Sequence, residues 1–140
     1  MERGLAPHYA VRVSRRYPCP CCGHLVLDEL PGSHEACLVC FWEDDAVQLR
    51  WPTVKGGANS PSLREAQRNY QGFGACDQRG RLFNRPPTAD EPLDPAWRPV
   101  DLTRDSFEDW EEKDRLPWPE DRFRLYWWLP SFWRSDHASS

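Results

Sequence analysis

The sequence contains no isoleucine and one methionine, and Leu, Val and Phe together supply only 26 of its 140 residues. So few aliphatic side chains exclude a large parallel α/β sheet, whose buried strands read as near-continuous Val/Ile/Leu runs. No stretch approaches the roughly 18–20 apolar residues of a membrane-spanning helix. Met1 to Arg16 lacks the apolar core of a secretory signal, so a cytoplasmic location without membrane association is expected. Lysine is nearly missing, with two against sixteen arginines. That bias fits a GC-rich bacterial genome and carries no functional information. A low aliphatic content can also signal disorder, but that requires a large net charge. Here the net charge is only −4, and 18 aromatic residues, eight of them Trp, accompany six cysteines. A small core of aromatic rings, fastened by a metal or by disulfides, is the reading that remains.

Charge is arranged in blocks. Residues 1–24 carry net +3, residues 25–49 net −6, residues 50–85 net +5 and residues 86–140 net −6. The blocks either neutralise one another across a folded surface or leave the acidic tail to face a basic partner. Neither half has the positive excess of a broad nucleic-acid binder, so nucleic acid is disfavoured. A local contact through Arg64, Arg68, Arg79, Arg81 and Arg85 stays open.

Punctuation divides the chain in three. Residues 1–16 read as an N-terminal arm, with strand pattern at Tyr9 to Val13. Residues 17–76 hold all six cysteines. Residues 77–140 hold eight of the fourteen prolines and form an acidic, Trp-rich C-terminal extension, expected to pack on the preceding domain. Within it, Thr103 is placed to cap a helix over 104–115 with Phe107 and Trp110 on one face. Alternation of Phe123, Leu125, Trp127 and Leu129 suits a strand, a helix being the alternative. Ser62 and Glu65 form a capping-box pattern before Leu63, Ala66 and Tyr70, which share one helical face.

The cysteines carry the strongest signal. Cys19-Pro20-Cys21-Cys22-Gly23 and Cys37-Leu38-Val39-Cys40 supply two C-x-x-C pairs, Cys19/Cys22 and Cys37/Cys40. Two such turns present four sulfurs in the tetrahedral arrangement that Zn²⁺ takes in structural sites. Gly23 permits the positive φ that turns backbone N–H groups back over the loop. A thioredoxin-like redox pair is disfavoured, because a glycine and strand formers follow Cys22 rather than a helix. A disulfide framework is disfavoured by the expected reducing compartment. His24 or His34 is an alternative ligand. Cys21 and Cys76 are left over as inert thiols, Cys21 having a reactive role as its alternative.

Tyr17-Pro18-Cys19-Pro20-Cys21-Cys22-Gly23, Cys37-Leu38-Val39-Cys40-Phe41-Trp42-Glu43-Asp44-Asp45, Gly56-Gly57-Ala58-Asn59, Ser62-Leu63-Arg64-Glu65-Ala66, Asn69-Tyr70 and Phe73-Gly74 together resemble the bacterial cysteine-rich CPCC domain family over residues 17–76. The resemblance implies a small zinc-binding-type domain and no particular activity. Leu38 stands where a second proline is expected, which alters turn stiffness and removes no ligand.

The remaining candidates are softer. Glu43, Asp44 and Asp45 read as a solvated turn, a partner-binding patch or ligands for a hard cation. Gly56-Gly57-Ala58-Asn59-Ser60 reads as a plain turn and cap rather than an anion cradle, since it lacks the phosphate-loop lysine. The expected fold is α+β: a small zinc-ribbon-like domain with a short helix and an aromatic, acidic extension. The expected function is that of a zinc-stabilised, non-enzymatic binding protein acting on a protein partner, for example neutralising a basic toxin or nuclease. Its partner surface is placed at Glu43, Asp44, Asp45, Glu108, Asp109, Glu111 and Glu112. The alternative is an enzyme, using the Cys21 thiol or carboxylates near the metal. A closed four-sulfur site leaves no position for water, which lowers that alternative.

Overall fold

Regular elements are few and short in a chain with 14 prolines, which interrupt both helices and strands. The computed structural model describes residues 16–135, and the strand pattern at Tyr9 to Val13 lies outside the described residues. Strands β1 (Tyr17–Pro18) and β2 (Leu25–Leu27) pair antiparallel, Tyr17 opposite Leu27 and Pro18 opposite Leu25. Helix α1 spans Ala46–Arg50 and helix α2 spans Leu63–Phe73. Two single 3-10 turns, Arg79–Leu82 and Arg122–Leu125, complete the regular structure among the described residues. This is a small domain of two short strands and one substantial helix.

Helix α2 starts where the capping box predicts. The Ser62 hydroxyl accepts from the Glu65 amide at 3.1 Å, and the Glu65 carboxylate accepts from the Ser62 amide at 3.1 Å. Such a cap contributes about 1 kcal/mol. Gly74, at φ 82°, ends the helix in the left-handed conformation, with its N–H on the Tyr70 carbonyl. Leu63, Ala66 and Gln67 face inward and Tyr70 is half-buried. Gln67 is the joint between three segments. Its amide nitrogen donates to the Pro20 carbonyl at 3.0 Å, and its oxygen accepts from the Val100 amide at 3.0 Å.

The core follows from the composition. Leu27, Val39, Leu49, Leu63 and Leu125 are among its aliphatic members, and Trp42, Tyr126, Trp127, Trp128 and Phe132 supply most of its bulk. Residues beyond Cys76 pack directly against this core. The Tyr126 hydroxyl donates to the Pro18 carbonyl at 3.1 Å, and the Trp97 indole donates to the Pro20 carbonyl at 3.2 Å.

Two expectations for the tail are corrected. Residues 104–115 form no helix but a series of turns and bends. Their amides go to nearby carboxylates instead: Glu111 N–H to Asp109, and Leu116 N–H to Glu108. Residues 122–129 form no strand. Tyr126 N–H bonds to Phe123 C=O, Leu129 N–H to Tyr126 C=O and Phe132 N–H to Leu129 C=O, so the chain coils in successive tight turns. Leu125, Tyr126, Trp127 and Trp128 are all buried, which no half-exposed strand permits.

Candidate metal centre

Each C-x-x-C pair folds into a turn closed by the same two hydrogen bonds. In the first, Gly23 N–H bonds to Cys19 C=O at 2.7 Å and Cys19 N–H to His24 C=O at 2.9 Å. In the second, Phe41 N–H bonds to Cys37 C=O at 2.7 Å and Cys37 N–H to Trp42 C=O at 2.8 Å. The residue after each second cysteine takes a left-handed conformation, φ 80° at Gly23 and φ 70° at Phe41. Gly23 could be no larger: a Cβ there would stand 2.5 Å from the Trp97 ring and 2.8 Å from Leu93 Cδ1.

The two turns face each other. Cys19 and Cys40 Sγ atoms are 3.7 Å apart, Cys22 and Cys37 Sγ atoms 3.8 Å, and all four lie within 4.8 Å of one another. These separations exceed the roughly 2.05 Å of a disulfide, and all six cysteines are free. The four thiols are almost completely enclosed. Burial pushes the Cys19 and Cys40 thiols up, while S–H donors from Cys19, Cys22 and Cys40 hold Cys37 down. A divalent cation at the centre of four such thiols would favour their ionisation. Four convergent, buried sulfurs form a cluster that can hold a metal ion.

The other candidates are placed as follows. Cys21 and Cys76 are buried and stand outside the four-sulfur set, and burial raises the Cys76 thiol well above its ordinary value. His24 Nδ1 donates to the Glu91 carbonyl at 2.8 Å, and His34 Nδ1 meets the exposed Glu43 carboxylate at 3.1 Å; neither joins the sulfurs.

The acidic run after Trp42 is mostly structural. Asp44 is 1% exposed and Asp45 is 6% exposed, which corrects their placement on a partner-facing patch. Asp45 caps α1, accepting from Val47 N–H at 2.8 Å, and its second oxygen accepts from Ala58 N–H at 2.9 Å. The glycine-rich loop thus spends its amide on Asp45. Gln48 and Asn59 hold the rest of that loop through a buried amide–amide bond of 3.0 Å. Asp44 Oδ2 accepts from Gly32 N–H at 2.8 Å, while Oδ1 is buried with no partner among the described residues. Burial raises the Asp44 carboxyl to about 6.

Glu108 also departs from the expected partner surface. It is buried against Arg50, whose Nε donates to it at 3.0 Å and whose terminal nitrogen donates at 2.5 Å. Asp109, Glu111 and Glu112 are exposed. Arg50 itself was invisible as a structural residue in the sequence. It lies within 4.6 Å of the ring centres of Trp51, Trp118 and Trp133, which no local pattern connects.

Residues 85–91 latch both cysteine turns. Arg85 N–H bonds to Leu38 C=O at 3.2 Å, and the Arg85 guanidinium grips Glu91 at 2.7 and 2.8 Å. That guanidinium holds the Glu91 carboxyl down to about 2.

The fold and this cluster define a small cysteine-rich domain built around a candidate tetracysteine metal site. The sequence profile described as cysteine-rich CPCC matches residues 17–91, and the chain belongs to that family. The match runs past Cys76, where the resemblance seen in the motifs ended, and takes in the Arg85–Glu91 latch. Comparison with curated proteins found no match.

Proposed function

We propose that the protein is a zinc-stabilised, zinc-ribbon-like binding protein that acts on a basic protein partner in the bacterial cytoplasm. The observation that carries the metal assignment is the sulfur geometry. A tetrahedral Zn²⁺ with Zn–S bonds of about 2.3 Å places its sulfurs about 3.8 Å apart. The Cys19–Cys40 and Cys22–Cys37 separations of 3.7 and 3.8 Å fit that value. Four sulfur donors complete the coordination of zinc and leave no position for water, so the metal holds the fold rather than activating a substrate.

Binding rather than catalysis is supported by the neighbours of the cluster. Cys21 is wholly enclosed, Asp45 is committed to backbone amides, and Asp44 is buried with one oxygen on the Gly32 amide. Free thiols suit a reducing compartment. Among the described residues no helix is long and apolar enough to cross a membrane. An acidic tail with exposed Trp110 and Trp118 supports a basic protein as the partner.

Replacing Cys22 by Ser is expected to abolish stoichiometric zinc binding and unfold residues 17–91, because metal binding contributes on the order of 10 kcal/mol to folding at such sites. Cys76→Ser should retain the metal. Protein that keeps its native near-ultraviolet circular dichroism in a strong chelator contradicts the reading.

A further inference from the structure

A cavity of about 620 Å³ opens between the end of α1 and the tail. Trp51, Val54, Leu102 and Trp110 are among its apolar lining, and Asp109 and Glu111 line it as well. Leu102 is 45% exposed, Trp110 41% and nearby Trp118 42%, so large apolar side chains lie open to solvent here in one short segment. The same segment, residues 101–121, has nine acids against three bases. Lys55, a cation on the cavity wall, is tied to Glu65 at 3.1 Å. Glu108, deeper in, is already neutralised by Arg50. Apart from Arg115, whose guanidinium rests on Trp51 and Trp110, the uncommitted charge at the mouth is negative.

The tryptophans also show what they accept. Arg50 is sandwiched among Trp51, Trp118 and Trp133 at 4.5–4.6 Å, with Glu108 as its counter-ion. A second guanidinium, that of Arg115, rests on Trp51 at 4.7 Å and Trp110 at 4.5 Å. The two arginines differ. Arg50 is buried and paired, whereas Arg115 is exposed and has no carboxylate partner among the described residues, only the Trp110 carbonyl. Arg115 thus occupies an aromatic slot without the ionic bond that fixes Arg50. A guanidinium is planar, weakly hydrated and stacks on rings, which a lysine ammonium does less well.

We propose that the groove walled by Trp51 and Trp110 is the docking site for an arginine-bearing basic segment of a partner protein, whose guanidinium displaces Arg115 from the slot while its flanking cations face Asp109 and Glu111. This rests on the reading of a basic protein partner and locates it on the molecule. The opposite chemistry has a smaller claim. Arg64, Arg68 and Arg104 line two smaller cavities, of about 410 and 190 Å³, that contain no aromatic side chain, the first partly offset by Asp101.

The test is fluorescence anisotropy of the full zinc-loaded chain with dye-labelled peptides of alternating arginine and leucine, and with their lysine and glutamate counterparts. The arginine peptide should bind severalfold more tightly than the lysine peptide. Trp110→Ala, at an exposed position that changes no charge, should weaken it about tenfold. Arg115→Lys, which keeps the charge but loosens the stacked competitor, should tighten it severalfold. Retained zinc content and cooperative thermal unfolding show that both variants remain folded. Arginine-peptide binding indifferent to both substitutions overturns the groove while leaving a basic partner standing. Preference for the glutamate peptide overturns both and moves the site to Arg64, Arg68 and Arg104. No binding of any peptide overturns the groove and the basic partner together.

Discussion

The two cysteine turns have the same backbone and opposite surroundings. Each closes with a 2.7 Å bond to the first cysteine's carbonyl and each places a left-handed residue after the second cysteine. The first turn is roofed. Trp97 and Leu93 press on Gly23, and the Pro20 carbonyl takes hydrogen bonds from both Gln67 and Trp97. The second turn is half open. Leu38 is exposed, and Phe41 is half-buried, its ring stacked on Phe83 at 4.9 Å. A shared geometry thus tolerates a glycine on one side and a phenylalanine on the other. What decides is the space above the turn: no side chain fits under Trp97, whereas a ring outside can offset backbone strain by stacking.

The largest effect should come from filling the roofed turn. Gly23→Ala combines a left-handed alanine with a collision against the Trp97 ring, and is expected to cost about 3–4 kcal/mol in chemical denaturation of the zinc-loaded protein. Trp97→Ala should recover part of that loss in the double variant, because it removes the collision but not the backbone strain. Strict additivity of the two would show that Trp97 is not what makes Gly23 necessary.

The open turn should be the more pH-sensitive. Its flanking Asp44 carboxyl is raised from 3.8 to about 6 in the folded state by burial. Between those values the native protein binds more protons than the unfolded chain, so stability falls as pH rises through the window. At about 1.4 kcal/mol per unit the loss is about 3 kcal/mol. Asp44→Asn should flatten that slope in denaturation measured from pH 4 to 7. An unaltered slope would assign it to another group.

The smallest effect is expected where the comparison is most lopsided in sequence. Phe41→Gly relieves a left-handed side chain but loses the stack on Phe83, and the two nearly offset, leaving a change within about 1 kcal/mol. A loss as large as that of Gly23→Ala would make the two turns equivalent.

What the sequence reveals and hides follows from the range of the interactions. The cysteine turns, the Ser62–Glu65 cap and the inward face of α2 are local patterns, and each stands where the residues predict it. The tail misleads because Phe107 and Trp110 have helical spacing without helical hydrogen bonding. Glu108, between them, is drawn inward by Arg50, 58 residues away in the chain. Asp44 and Asp45 look like solvent-facing acids, yet they are buried by Gly32, Ser33 and the loop at Ala58. Burial of a carboxylate depends on distant donors, which spacing does not record. The alternation of Phe123, Leu125, Trp127 and Leu129 suggests one covered side, but Tyr126 and Trp128 on the other side are buried as well.

As proposed, the two unlike turns close one four-sulfur zinc site. X-ray absorption at the zinc edge of the purified full chain tests it most directly. One zinc per chain with four sulfur neighbours at about 2.3 Å is the result expected. A nitrogen or oxygen in the first shell, or a folded protein containing no zinc, would contradict it.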